Sequence, residues 1–122
     1  MRLLYDLGIL LMNAGLRMAA PFNPKARLWV RGRKDIFRRM AEVVGPDDEV
    51  AWLHAASLGE FEQGRPVIEA LREACPRYKI LLTFFSPSGY EVRKNYAGAD
   101  WVFYLPADTP RNARLFLRVF RP

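Results

Sequence analysis

From residue 50 onward the chain alternates short apolar runs with stretches of helical periodicity. Val50-Ala51-Trp52-Leu53-His54-Ala55, Lys79-Ile80-Leu81-Leu82-Thr83-Phe84-Phe85 and Trp101-Val102-Phe103-Tyr104 have strand length, and each precedes a helix-start signal. Ser57 opens a helix running to about Cys75, Ser86-Pro87 opens one running to about Tyr96, and Asp108-Thr109-Pro110 opens one toward Phe120. This alternation predicts an α/β fold, with a parallel sheet whose strands are joined by right-handed crossover helices. No repeat or low-complexity stretch interrupts it.

The first forty residues follow a different pattern. Around the window 3–22, Arg2, Asp6, Asn13 and Arg17 fall on one narrow stripe of a helix. Leu3, Leu4, Leu7, Leu10, Leu11, Ala14 and Met18 fill the opposite face. The three polar residues inside this window argue against a spanning helix, and Arg17 with no small-residue cleavage pattern argues against a removable signal peptide. Pro21 and Pro24 are expected to end the helix. Lys25, Arg27, Arg31, Arg33, Lys34, Arg38 and Arg39 then surround Trp29 and Phe37. An apolar helix followed by a basic, aromatic segment is a membrane-surface pattern, with Trp at head-group level and Arg31, Arg33 and Lys34 as candidate phosphate contacts. The alternative is a core helix followed by a solvated basic face. Gly45-Pro46-Asp47-Asp48 is a turn cluster, and the folded unit is expected to begin there. Two regions result: 1–40, membrane-associating, and 41–122, the α/β unit.

Composition narrows the functional classes. With 122 residues, 51% of them apolar, the chain can bury a core and is neither a disordered tail nor a disulfide-stapled mini-protein. One Cys and one His exclude an internal disulfide and a Cys- or His-rich metal site; a reducing, cytoplasmic setting fits, and no cofactor is expected. Residues 1–40 carry nine Lys or Arg against two acids, whereas 41–122 carry ten against eleven. Such asymmetry suits an anionic partner, lipid head groups or nucleic acid phosphates. No recognition helix or aromatic strand motif supports nucleic acid, and none is expected as a partner.

In an open parallel sheet, ligands bind beyond the carboxyl ends of the strands. Three turns gather there: Ala56-Ser57-Leu58-Gly59-Glu60, Ser86-Pro87-Ser88-Gly89 and Leu105-Pro106-Ala107-Asp108. The first two place Gly and hydroxyls at helix N-termini, where free N–H groups favour an anion such as a sugar carboxylate or phosphate. Ser57, Gly59, Ser86, Ser88 and Gly89 are therefore candidate substrate-binding residues. Glu60 has two readings. Ser57-x-x-Glu60 is a capping box, and one carboxylate rotamer is not expected to serve as both cap and base. Gly59 suggests a close approach to the backbone, since Gly is otherwise disfavoured in a helix. His54 reads as a satisfied buried imidazole and Cys75 as a structural or exposed thiol. Glu62 and Glu69 read as solvated or paired with Arg65 and Arg72. Tyr90, Tyr96 and Tyr104 read as packing residues with a wet end.

Trp52-Leu53-His54-Ala55-Ala56-Ser57-Leu58-Gly59-Glu60, Thr83-Phe84-Phe85-Ser86-Pro87-Ser88-Gly89 and Tyr104-Leu105-Pro106-Ala107-Asp108 together resemble the N-terminal domain of bacterial 3-deoxy-D-manno-octulosonic acid (Kdo) transferases. Arg27-Leu28-Trp29-Val30-Arg31-Gly32-Arg33-Lys34 and the apolar N-terminal helix extend the likeness over nearly the whole chain. The resemblance implies the Rossmann-like N-terminal half of a B-type glycosyltransferase, on the cytoplasmic face of the cell inner membrane. It implies metal-independent, inverting transfer of Kdo from CMP-Kdo to the lipid A precursor, with Glu60 as general base for the acceptor hydroxyl. Ser86 and Ser88 stand where the family often has Thr. The family continues into a C-terminal nucleotide-sugar domain, so this chain is expected to be an acceptor-side part with little or no activity alone. The alternatives are a non-catalytic membrane-docking module that keeps the fold and a basic nucleic acid binder.

Overall fold

A computed structural model describes residues 2–122. Its elements in chain order are α1 (Arg2–Ala19), α2 (Pro24–Gly32), α3 (Ile36–Val43), β1 (Val50–Ala55), α4 (Leu58–Ala74), β2 (Lys79–Phe84), α5 (Pro87–Arg93), β3 (Trp101–Tyr104) and α6 (Pro110–Phe120). The strands form one parallel sheet in the order β1-β2-β3, in register from Val50 opposite Lys79 and from Leu81 opposite Trp101. The alternation read from the sequence is thus an α/β fold.

The helix starts show why these segments fold as they do. Asn23 accepts from the N–H groups of Lys25 and Ala26, Ser57 from Glu60, Ser86 from Ser88 and Thr109 from Asn112. Three of these helices carry Pro in the first turn, where its missing N–H costs nothing. Pro24 therefore opens α2 rather than only closing α1, and the chain bends by 119° between the two. Helix α5 stops at Arg93, short of Tyr96, and Gly98 then tucks against the Tyr96 ring, where a side chain would collide.

Two apolar layers cover the sheet. Phe61 and Ile68 of α4 pack on Ala55, Ile80, Leu82 and Phe84. On the other side Ile36 and Met40 of α3 and Phe116 and Phe120 of α6 pack with Val50, Leu81, Phe103 and Tyr104. Each such fully buried side chain contributes roughly 1.5–3 kcal/mol. The packing does not begin at the Gly45–Asp48 turn, as expected, but reaches back through Met40 and Ile36 to the buried Trp29 and Ala26. The basic segment 25–39 is correspondingly two packed helices, and Trp29 sits inside the protein instead of at a head-group level. Helix α1 buries no residue at all, which excludes its reading as a core helix.

Candidate active site at the carboxyl edge of the sheet

The chain leaves β1 toward the face covered by α4 and leaves β3 toward the face covered by α6. The strand ends between those departures form the edge at which open parallel sheets bind ligands. Two backbone bonds fix it: the Ser86 N–H donates to the Ala56 carbonyl at 3.0 Å and the Leu105 N–H to the Phe84 carbonyl at 2.9 Å.

Glu60 stands in the first turn of α4, exposed, where the helix N-terminus favours a negative charge. Its Oε2 accepts from the Ala56 N–H at 2.7 Å, one residue before the cap, and its own N–H reaches Ser57 Oγ at 3.5 Å. The box is therefore shifted by one residue, with a single carboxylate oxygen taken up by the backbone. One oxygen is held by the backbone, and Oε1 has no partner among the described residues. A Cβ on Gly59 would meet only Ser57 Oγ, at 3.9 Å, so the backbone beside Glu60 is open to an approaching group.

The second turn is more occupied than the sequence suggests. Ser86 Oγ accepts from the Ser88 N–H at 3.1 Å and lies 2.7 Å from Ser88 Oγ, leaving Ser88 as the exposed member of the pair. Gly89 is buried, and its missing side chain is explained by packing: a Cβ would sit 2.5 Å from the Phe84 ring and 3.2 Å from the Leu58 nitrogen. It faces the core, not the strand edge.

Arg33 departs furthest from its sequence reading. Its guanidinium donates to the carbonyls of Leu105 (2.8 Å), Phe85 (3.1 Å) and Trp29 (3.2 Å). It lies 3.8 Å from the Trp29 ring centroid and 4.8 Å from that of Tyr104. Burial lowers its pKa to about 10. Arg33 is a clamp between α2 and the loops after β2 and β3, and is not available to a membrane phosphate. Its neighbour Gly32 admits the Tyr104 ring, which a Cβ would strike. Tyr104 has no wet end: its hydroxyl is buried without a partner, and burial raises its pKa to about 12. Arg31 and Lys34 are exposed and line, with Arg17 and Arg111, a cleft of about 1080 Å³ between α1, α2 and the start of α6.

The remaining candidates divide in the same way. Glu62 pairs with Arg65 and Arg93, and Glu69 with Arg65, whereas Arg72 pairs with Asp100. Cys75 is half-buried at the end of α4. His54 is exposed, not buried, with Nδ1 2.9 Å from Thr83 Oγ1. Among the described residues no three His, Cys, Asp or Glu side chains gather as a metal site.

The family model described as 3-deoxy-D-manno-octulosonic-acid transferase (kdotransferase) matches residues 30–122. The chain belongs to the Kdo transferase family. Residues from the end of α2 to the end of α6, including all three strand-end turns, lie inside the match. The 3-deoxy-D-manno-octulosonic acid transferase of Haemophilus influenzae is 30% identical over 70% of this chain and 22% of its own length. That of Aquifex aeolicus is 35% identical over 58% of the chain and 20% of its own length. A probable mitochondrial 3-deoxy-D-manno-octulosonic acid transferase of Arabidopsis thaliana is 29% identical over 95% of the chain and 28% of its own length. The chain thus spans between a fifth and just over a quarter of these Kdo transferases. No solved structure matches it.

Proposed function

We propose that this chain is the acceptor-side part of a glycosyltransferase that moves Kdo from CMP-Kdo to the lipid A precursor. Glu60 is its general base. The observation that carries the reading is the carboxylate at the strand edge with one oxygen fixed by the Ala56 N–H and the other free. In the reaction an acceptor hydroxyl oxygen bonds to the anomeric carbon of Kdo as the bond to the CMP phosphate oxygen breaks. The hydroxyl proton passes to Glu60 Oε1, and attack opposite the leaving group inverts the anomeric centre without a metal. Pinning Oε2 keeps Oε1 in place during the transfer. Ser57 and Gly59 line the approach, with Ser88 at its second turn.

Association with the cytoplasmic face of the inner membrane rests on α1. Leu3 and Met18 are 81% and 77% exposed, and neither they nor Leu4, Leu7, Leu10 and Leu11 find cover in the chain. No single described helix is long and apolar enough to cross a bilayer, which favours a helix lying in the interface. The cleft bearing Arg31, Lys34, Arg17 and Arg111 then faces the phosphates of lipid or acceptor.

The test is Kdo transfer to a tetraacylated lipid A precursor by the protein encoded by the full reading frame, comparing Glu60 with Glu60→Gln. The expected loss in kcat is on the order of 10²–10⁴, with folding and lipid binding retained. Undiminished turnover reduces Glu60 to a helix cap and overturns the assignment.

A further inference from the structure

Thr83 is a buried polar side chain, fully enclosed in the middle strand. Two side chains of β1 meet its hydroxyl: Trp52 Nε1 at 2.9 Å and His54 Nδ1 at 2.9 Å. The indole nitrogen donates only. Thr83 Oγ1 therefore accepts from Trp52, and its own proton needs an acceptor, because an orphaned buried hydroxyl proton is costly. Of the two side chains that meet Oγ1, the one that can accept is His54, through Nδ1. A lone pair on Nδ1 places the imidazole proton on Nε2. An imidazolium would bring two donors to Thr83 and leave the threonine proton without a partner, so the relay holds the ring neutral.

The place of this ring gives the tautomer a use. His54 is exposed and lies two residues before Ala56, whose N–H fixes Glu60. Partial desolvation of the ring lowers its pKa below the ordinary 6.5, opposed by the nearby Glu60 carboxylate and by a backbone bond to Thr83. The strand edge therefore offers a neutral N–H donor beside an anionic acceptor. That is the complement of a sugar hydroxyl, which both donates and accepts, whereas a phosphate or carboxylate at the same point would be repelled by Glu60.

We propose that Trp52 and Thr83 lock His54 as a neutral Nε2–H donor that binds a hydroxyl oxygen of the sugar acceptor beside Glu60. The inference rests on the functional reading above and adds a second substrate contact to it. Asn and Gln separate the two ring nitrogens. Gln reaches as far as Nε2 and keeps a donor at the strand edge, whereas Asn reaches only to Nδ1 and keeps the Thr83 contact alone.

The experiment combines imidazole ¹⁵N NMR of the chain with titration of the lipid A precursor in detergent micelles against the wild type, His54→Gln, His54→Asn and Glu60→Gln. The expected spectrum is that of a neutral Nε2–H tautomer at pH 7, with an Nε2 resonance that moves on addition of the lipid. His54→Gln is expected to bind within about threefold of the wild type and His54→Asn about tenfold more weakly, the loss of about one hydrogen bond. An Nδ1–H tautomer, or His54→Asn binding as tightly as the wild type, overturns the assignment of His54 and leaves the functional reading standing. No binding by the wild type or by Glu60→Gln overturns both.

Discussion

At the scale of single residues, the same side-chain type takes opposite parts according to what faces it. Arg31 and Arg33 lie two positions apart in one basic run, yet Arg31 is solvated and Arg33 is spent on three carbonyls and an aromatic cage. Nothing local in the sequence separates them, because the partners, Phe85 and Leu105, lie 52 and 72 positions away. Glu60 was legible as a capping carboxylate, but not that its bond goes to Ala56 through one oxygen alone, since that depends on the direction of the Ala56 N–H. Gly59 and Gly89 looked alike as glycines at helix starts. Only packing shows that Gly59 faces open space and Gly89 faces the Phe84 ring. Gly89→Ala is therefore expected to destabilise the fold by about 1–3 kcal/mol through overpacking, measured as a lower denaturant midpoint at constant m. Gly59→Ala should change the unfolding free energy by less than about 1 kcal/mol. Equal effects at the two positions would contradict this division.

At the scale of elements, the strands and helix starts were legible because they depend on local signals: apolar runs of four to six residues and capping side chains followed by Pro. Helix α1 was legible as amphipathic, but whether its apolar face meets the core or solvent depends on where the rest of the chain lies. It lies elsewhere, and α1 buries no residue. Its ties are to α2 and, through the Tyr5 hydroxyl, to the Asp108 carboxylate, which raises the Tyr5 pKa. The double substitution Leu7→Asp and Leu11→Asp is therefore expected to leave thermal unfolding unchanged within a few degrees. The same change should abolish sedimentation with phospholipid vesicles. A large loss of stability would mean that α1 is part of the core after all.

At the scale of the whole molecule, the charge asymmetry of the sequence becomes a spatial one. Arg17, Arg31, Lys34 and Arg111 come from α1, α2, the turn after α2 and α6 and line one cleft, while the guanidinium groups of Arg33 and Arg39 are bonded to backbone carbonyls. Binding to vesicles containing anionic lipid is expected to weaken as salt rises, and Arg31→Ala with Lys34→Ala should weaken it further, by about 1 kcal/mol per charge. Binding indifferent to both would assign the attraction to the apolar face of α1 alone. The sequence by itself determined the α/β alternation, the amphipathic start and the residues gathered at the strand ends, because periodicity, capping and strand polarity act over a few neighbouring residues. Only the tertiary structure decided which arginine is a clamp, which glycine is a packing necessity, and which groups meet the Glu60 carboxylate and the Thr83 hydroxyl. Those outcomes depend on groups brought together from distant parts of the chain, where burial removes water as the alternative partner and every donor must find its acceptor within the protein.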